Sequence, residues 1–162
     1  MNDDGRHTYF RGEHRTPRVF IDANVLDFVS AERKNAVLKL VVLYESEEVE
    51  VILPKGVREE LEHPNVPVSV KVLLPDVYTV EVELSVREQQ QRSLVVSALQ
   101  GNAKPGKHLA DADHVFEAIK YQVDYFVTYD HRILDRSADI KEVVPNEIEF
   151  CDLEMLIQRL SN

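Results

Sequence analysis

Val19-Phe20-Ile21-Asp22-Ala23-Asn24-Val25-Leu26 is the stretch on which the fold turns. Its first three residues are continuously apolar. Such a run suits a strand covered on both faces, as in a parallel sheet, rather than one with a wet face. The run ends on a carboxylate, Asp22. Beyond it Val25, Leu26, Phe28 and Val29 recur at helical spacing, and a second helical stretch is expected from about Asn35 to Tyr44.

The same alternation continues along the chain. Val49 to Leu53 reads as a strand. Pro54 suits the first turn of a helix, which runs from Lys55 to about Glu62 and ends before His63-Pro64. Val77 to Glu83 alternates apolar and polar residues and reads as a strand. Ser85 opens a helix with Glu88 at the capping-box offset, and Gly101 stops it after Gln100. After a loop at 102–107, a helix is expected from about Leu109 to Tyr121 and a strand at Tyr125 to Thr128, ending near Asp130. Ile148 to Phe150 and Leu153 to Leu160 complete the series as strand and helix. Strands alternating with helices imply an α/β fold with a mostly parallel sheet and helices on both faces, because parallel neighbours need crossover connections. Ligands in such folds bind beyond the carboxyl ends of the strands. Carboxylates at strand ends are therefore the first candidates for chemistry.

Composition narrows the classes. The chain has 162 residues, 44% of them hydrophobic, enough for one cored domain. Residues 1–18 lack periodicity and are expected to form a loose arm, with a single domain over 19–162. No apolar run reaches the ~18 residues of a membrane span, and the arm has no apolar stretch of the secretory kind. The single cysteine, Cys151, reads as a small core residue, and a cytosolic location is expected. Lys and Arg number 19 against 29 Asp and Glu, a net charge of −10. That balance opposes a protein that coats nucleic acid, but not an enzyme that handles it through cations.

Four acids stand at strand ends or on the core side of helices, although Asp111 equally suits a simple cap and Glu60, like Glu59, a solvated helix charge. Asp22 closes the first strand, with Asn24 placed to cap or orient, although Asp22 equally suits a helix N-cap. Glu60 shares a helix side with Val57 and Leu61, whereas Glu59 points about 200° from Val57. Asp111 lies on the stripe of Val115, Ala118, Ile119 and Gln122, at a helix N-terminus whose dipole favours a negative charge. Asp113 points about 200° away from Asp111 and reads as a supporting or solvent-facing residue. Asp130 follows the strand at Tyr125 through Thr128, and suits either a turn or a second strand-end ligand, with the Thr128 hydroxyl in support. Clustered carboxylates repel and call for a cation, and an all-oxygen set selects Mg²⁺ or Mn²⁺ over zinc. The six histidines show no zinc spacing and read as surface residues, with His114 on a different helix face from Asp111. Lys104 and Lys107 before Asp111, and Arg132 and Arg136 after Asp130, are candidate contacts for RNA phosphates.

At these residues the chain resembles the PIN-domain nucleases, which include the VapC-type toxins of toxin–antitoxin systems. The matching segments are Val19 to Leu26, Val57-Arg58-Glu59-Glu60-Leu61, Asp111-Ala112-Asp113-His114-Val115-Phe116-Glu117-Ala118, and Tyr125-Phe126-Val127-Thr128-Tyr129-Asp130. Their order matches the family over about residues 19 to 134. The resemblance implies a three-layer α/β/α sandwich and a Mg²⁺- or Mn²⁺-dependent endoribonuclease. Asp22, Glu60, Asp111 and Asp130 would be its catalytic metal ligands, with Asn24, Asp113 and Thr128 in support. It also implies an RNA substrate, dimerisation and, for a toxin, an antitoxin that blocks the site. Two other readings stand beside it. One is a PIN-like binding or regulatory module without catalysis, suggested by the net charge and the arm. The other is a receiver-like or phosphatase-like domain. Asn24 in place of a second Asp, and His131-Arg132 where a receiver lysine is expected, disfavour the latter.

Overall fold

The structure is a computed structural model and describes residues 16–26, 30–54, 64, 78–79, 83–144 and 147–161. Five strands form one sheet: β1 (Arg18–Ile21), β2 (Glu50–Pro54), β3 (Tyr78–Thr79), β4 (Tyr125–Val127) and β5 (Glu149–Cys151). Their order across the sheet is β3-β2-β1-β4-β5, and every pairing is parallel. The helices among the described residues are α1 (Ala31–Glu45), α2 (Val86–Gln100), α3 (Leu109–Lys120), α4 (His131–Asp135), α5 (Ser137–Val143) and α6 (Leu153–Leu160), with a 3₁₀ turn at Ala23–Leu26. None is long and apolar enough to cross a membrane.

The continuous apolar run at the start of the chain is explained by what covers it. Val19, Phe20 and Ile21 are all fully buried, and successive residues of a strand point to opposite faces. Val19 and Ile21 pack with Val51, Leu53, Val127 and Cys151 against α1 and α6. Phe20 packs with Ile52, Phe126 and Phe150 against α2, α3, α4 and α5. Helices thus cover both faces of an all-parallel sheet, an arrangement compatible with three layers. Cys151 is buried as expected, and burial pushes its thiol up to about 12, which leaves it unreactive.

Local signals place most element ends. Ser85 accepts from the Glu88 backbone N–H at 3.2 Å, and the Glu88 carboxylate accepts from the Ser85 N–H at 3.4 Å, a complete capping box. Gly101 ends α2 with φ of +47°, and an added Cβ there would collide with the Arg136 guanidinium. Ser85→Ala is therefore expected to cost about 1 kcal/mol, read as a lower urea midpoint at unchanged slope.

Several boundaries differ from expectation. Arg18 belongs to β1 rather than to the arm: its backbone N–H donates to Asp124 at 2.8 Å, and its guanidinium meets Glu50 at 3.0 Å and the Tyr121 carbonyl at 3.1 Å. Residues 1–15 lie outside the described residues. Val25 and Leu26 of the first helical stretch belong to a 3₁₀ turn, Phe28 and Val29 lie outside the described residues, and α1 begins earlier than expected because Ser30 caps it, accepting from the Arg33 N–H at 3.2 Å. Pro54 ends β2, where its missing N–H is tolerated, and the helix expected from Lys55 to about Glu62 lies outside the described residues. Gln122 has φ of +53° beyond the end of α3 and is exposed, so it is not part of the buried stripe. Helices α4 and α5 have no counterpart in the sequence reading. They are too short for helical periodicity to register, and only Ile133 and Ile140 are buried in them.

Candidate active site

The strand order creates the site. From β1 the chain moves outward through β2 to β3, and from β4 it moves the other way to β5. The crossover directions diverge between β1 and β4, leaving a crevice at their carboxyl ends where open α/β sheets bind ligands. Asp22 follows β1 and Thr128 follows β4, so both stand at this crevice.

A hydrogen-bond network ties the two strand ends together. The Asp22 N–H donates to the Val127 carbonyl at 3.0 Å, extending the β1–β4 ladder. The buried Thr128 hydroxyl donates to the Asp22 carboxylate at 2.8 Å. It accepts from the Asp130 N–H at 3.0 Å and from the Asn24 amide at 3.2 Å. The Asn24 amide also reaches Asp22 at 3.4 Å, and its oxygen accepts from the Tyr129 N–H at 2.9 Å. Asn24 and Thr128 thus bridge the two strand ends, because one hydroxyl and one carboxamide can each donate and accept at once.

Helix α3 brings the third acid. Asp111 lies in its first turn, half-buried, with one oxygen 3.3 Å from His108 Nδ1. Burial raises the Asp111 pKa. His108 opposes that rise, and the nearby charges of Asp130 and Asp22 add to it. Asp111 therefore lies near enough to Asp22 and Asp130 for their charges to act on it. Asp130 also serves as the N-cap of α4, accepting from the Arg132 N–H at 2.8 Å.

His114 corrects the sequence reading. It stands on α3 with Nδ1 3.3 Å from the Asp22 carboxylate, so it faces the crevice rather than another side. The offset of three residues from Asp111 is about 300°, or 60° short of a full turn, and that arithmetic reveals the shared side. The contact is an ion-pair distance without hydrogen-bond alignment, since the buried Nδ1 has no hydrogen-bond partner. The Asp22 carboxylate nevertheless raises the His114 pKa, against the opposing effect of burial.

Other candidates are placed differently. Asp113 faces α2, where its carboxylate meets Arg92 at 2.6 Å, so it joins two helices rather than the crevice. Arg132 donates from Nε to the Leu99 carbonyl at 2.9 Å and also to the Gln100 carbonyl, closing the end of α2. Arg136 pairs with Asp139 at 3.1 Å. Lys104 and Lys107 are exposed in the turn that leads into α3. Glu60 lies outside the described residues.

The donor set is oxygen-rich and mutually repulsive, as a hard divalent cation requires. As the side chains stand, no three His, Cys, Asp or Glu among the described residues are grouped closely enough to hold an ion. Asp22 and Asp111 are each turned toward an imidazole instead. The repulsion gives a stability prediction. A carboxyl whose folded pKa is raised stabilises the fold only at acid pH, and that contribution is lost as pH rises from its unfolded value through the folded one. At neutral pH without divalent cations, Asp111→Asn is expected to raise the Tm. Added Mn²⁺ is expected to raise the Tm of the wild type more than that of the variant, as differential scanning would show.

Comparison with protein-family models, with curated proteins and with solved structures returned no match.

Proposed function

We propose that this protein is a PIN-like, Mg²⁺- or Mn²⁺-dependent endoribonuclease that hydrolyses RNA phosphodiester bonds at the β1–β4 crevice. One observation carries the reading. Asp22 and Asp130 follow the neighbouring strands β1 and β4 at the topological switch point, joined through the Thr128 hydroxyl, and Asp111 on α3 feels the charges of both. Asp22 and Asp111, with Asp130 beside them and Glu60 as the fourth acid, would hold the cation. Bound there, Mg²⁺ or Mn²⁺ supplies an activated water and stabilises the departing oxygen. The chain's own residues supply orientation. Thr128 and Asn24 hold the Asp22 carboxylate against rotation, and Asp130 is fixed through its cap on α4. His114 gives Asp22 a partner, with Nδ1 3.3 Å from the carboxylate. The exposed Lys104 and Lys107 suit the approach of a phosphate chain, in spite of the overall negative charge.

The test is cleavage of single-stranded RNA by the full chain with Mn²⁺, against the same reaction in chelator and with Asp22→Asn. Cleavage that is metal-dependent and lost in the variant supports the reading. Equal cleavage by both proteins overturns it. Action as a toxin would require that an antitoxin or a second copy cover this crevice, and co-purification measures that directly. A non-catalytic binding module is the second reading. Its support is the way Asp22 and Asp111 are each turned onto an imidazole, and calorimetry that finds no Mn²⁺ binding would favour it.

A further inference from the structure

On the side of the crevice opposite α3, a guanidinium is held in place without an acidic partner. Arg33, in the first turn of α1, lies 4.0 Å over the ring centroid of Tyr129. Among the described residues no carboxylate pairs with it. Tyr129 is itself fixed at both ends. Its hydroxyl donates to the Glu154 carboxylate at 2.8 Å, and its backbone N–H donates to Asn24 at 2.9 Å. Its ring packs with the cluster beneath α1 and α6. Tyr129 also stands between Thr128 and Asp130 in the chain, and through Asn24 its backbone joins the network on the Asp22 carboxylate.

This geometry has a cost that packing alone does not explain. A long, rotamer-rich side chain is ordered on an aromatic face, where the attraction is only about 0.5–1 kcal/mol at an exposed site. An arginine needed only for solubility gains little from such ordering. An arginine that must present its donors to a phosphate gains pre-organisation, since less freedom is lost on binding. The lysines at 104 and 107 are exposed in the turn before α3, and α3 packs on the other face of the sheet from α1.

We propose that Arg33, held by Tyr129, binds a backbone phosphate of single-stranded RNA next to the scissile one, so that the strand crosses the crevice from the α3 side to the α1 side. This rests on the nuclease reading for the identity of the ligand. Arg33 is then a substrate-binding residue. Tyr129 and Glu154 are positioning residues that act through it.

The experiment measures binding apart from cleavage. Fluorescence anisotropy of labelled single-stranded RNA of mixed sequence is followed in chelator over a salt series, with full-chain wild type, Arg33→Gln, Arg33→Lys and Tyr129→Phe. Arg33→Gln is expected to bind about tenfold more weakly at low salt, with the slope of log affinity against log salt reduced by about 0.7, the value for one phosphate contact on a single strand. Arg33→Lys should keep the wild-type slope with weaker binding, because charge survives and the stacked fork does not. Tyr129→Phe should keep the slope too, with a smaller loss of affinity from the missing tether to Glu154. Thermal scans check that all four proteins are folded, and a purely structural Arg33 would lower the Tm without changing the salt slope. An unchanged slope in folded Arg33→Gln, or no RNA binding by the wild type, overturns the proposal. If binding depends on Arg33 but Mn²⁺ elicits no cleavage from the wild type, the nuclease reading fails while the phosphate contact stands.

Discussion

Asp22→Asn is expected to lower Mn²⁺-dependent RNA hydrolysis by about three orders of magnitude while leaving the protein folded. The carboxamide is nearly the same size as the carboxylate, and its oxygen can still accept from the Thr128 hydroxyl now 2.8 Å away. What disappears is one negative charge at the meeting point of β1 and β4. Charge stabilisation by a bound divalent cation is worth several kcal/mol in the transition state, and each 1.36 kcal/mol is tenfold in rate. Removing a ligand that also sets the cation's position sacrifices about 4 kcal/mol of that, hence about 10³-fold. Single-turnover cleavage measures the rate, and circular dichroism confirms the fold. A loss below tenfold in a folded variant would show that Asp22 is a structural cap and no ligand.

Phe126→Ala is expected to produce the largest loss of stability, about 3–5 kcal/mol. Phe126 is fully buried on the interior strand β4, with its ring 5.0 Å from that of Phe20 and 5.3 Å from that of Phe150. The three rings line one face of three neighbouring strands beneath α2 and α3. Truncation leaves a cavity that the β ladders cannot close, because their spacing is set by backbone hydrogen bonds. Against a total stability of about 5–15 kcal/mol, the loss is a large fraction. It should appear as a Tm lower by about 10 °C and a matching fall in the urea midpoint. A change below 1 kcal/mol would contradict the packing described for this face. The two substitutions divide the molecule: a buried polar residue at a strand end affects turnover and spares the fold, and an apolar one on the adjacent strand does the reverse.

The contrast reflects which features were legible along the chain. Strand positions were, since Val19-Phe20-Ile21 and Tyr125-Phe126-Val127 are apolar on both faces and only a doubly covered parallel strand has that pattern. The span of α2 was legible to the residue, because Ser85, Glu88 and Gly101 make local contacts that do not depend on tertiary structure. Asp22 was suspected for the same reason, as a carboxylate directly after a buried strand. His114 was misplaced even though helix arithmetic would have brought it beside Asp111, because no zinc spacing drew attention to it. Arg132 looked like a free phosphate contact but closes the end of α2, which a sequence cannot reveal, since Leu99 and Gln100 offer only backbone carbonyls. Asp113 reads in the sequence as a supporting residue of the site but pairs with Arg92 instead, on a helix whose nearness to α3 in space has no trace in local spacing.

The sequence alone determined the alternation of strands and helices, the burial of the first and fourth strands and the capping of α2, because each depends on residues a few positions apart. The strand order β3-β2-β1-β4-β5 was decided only in three dimensions. It joins residues more than a hundred positions apart, as Thr128 and Asp22 are, and it turns separate acids into one crevice. The stacking of Arg33 on Tyr129 was decided there too, because the energy of a cation over a ring depends on distance and orientation and leaves no pattern in the chain.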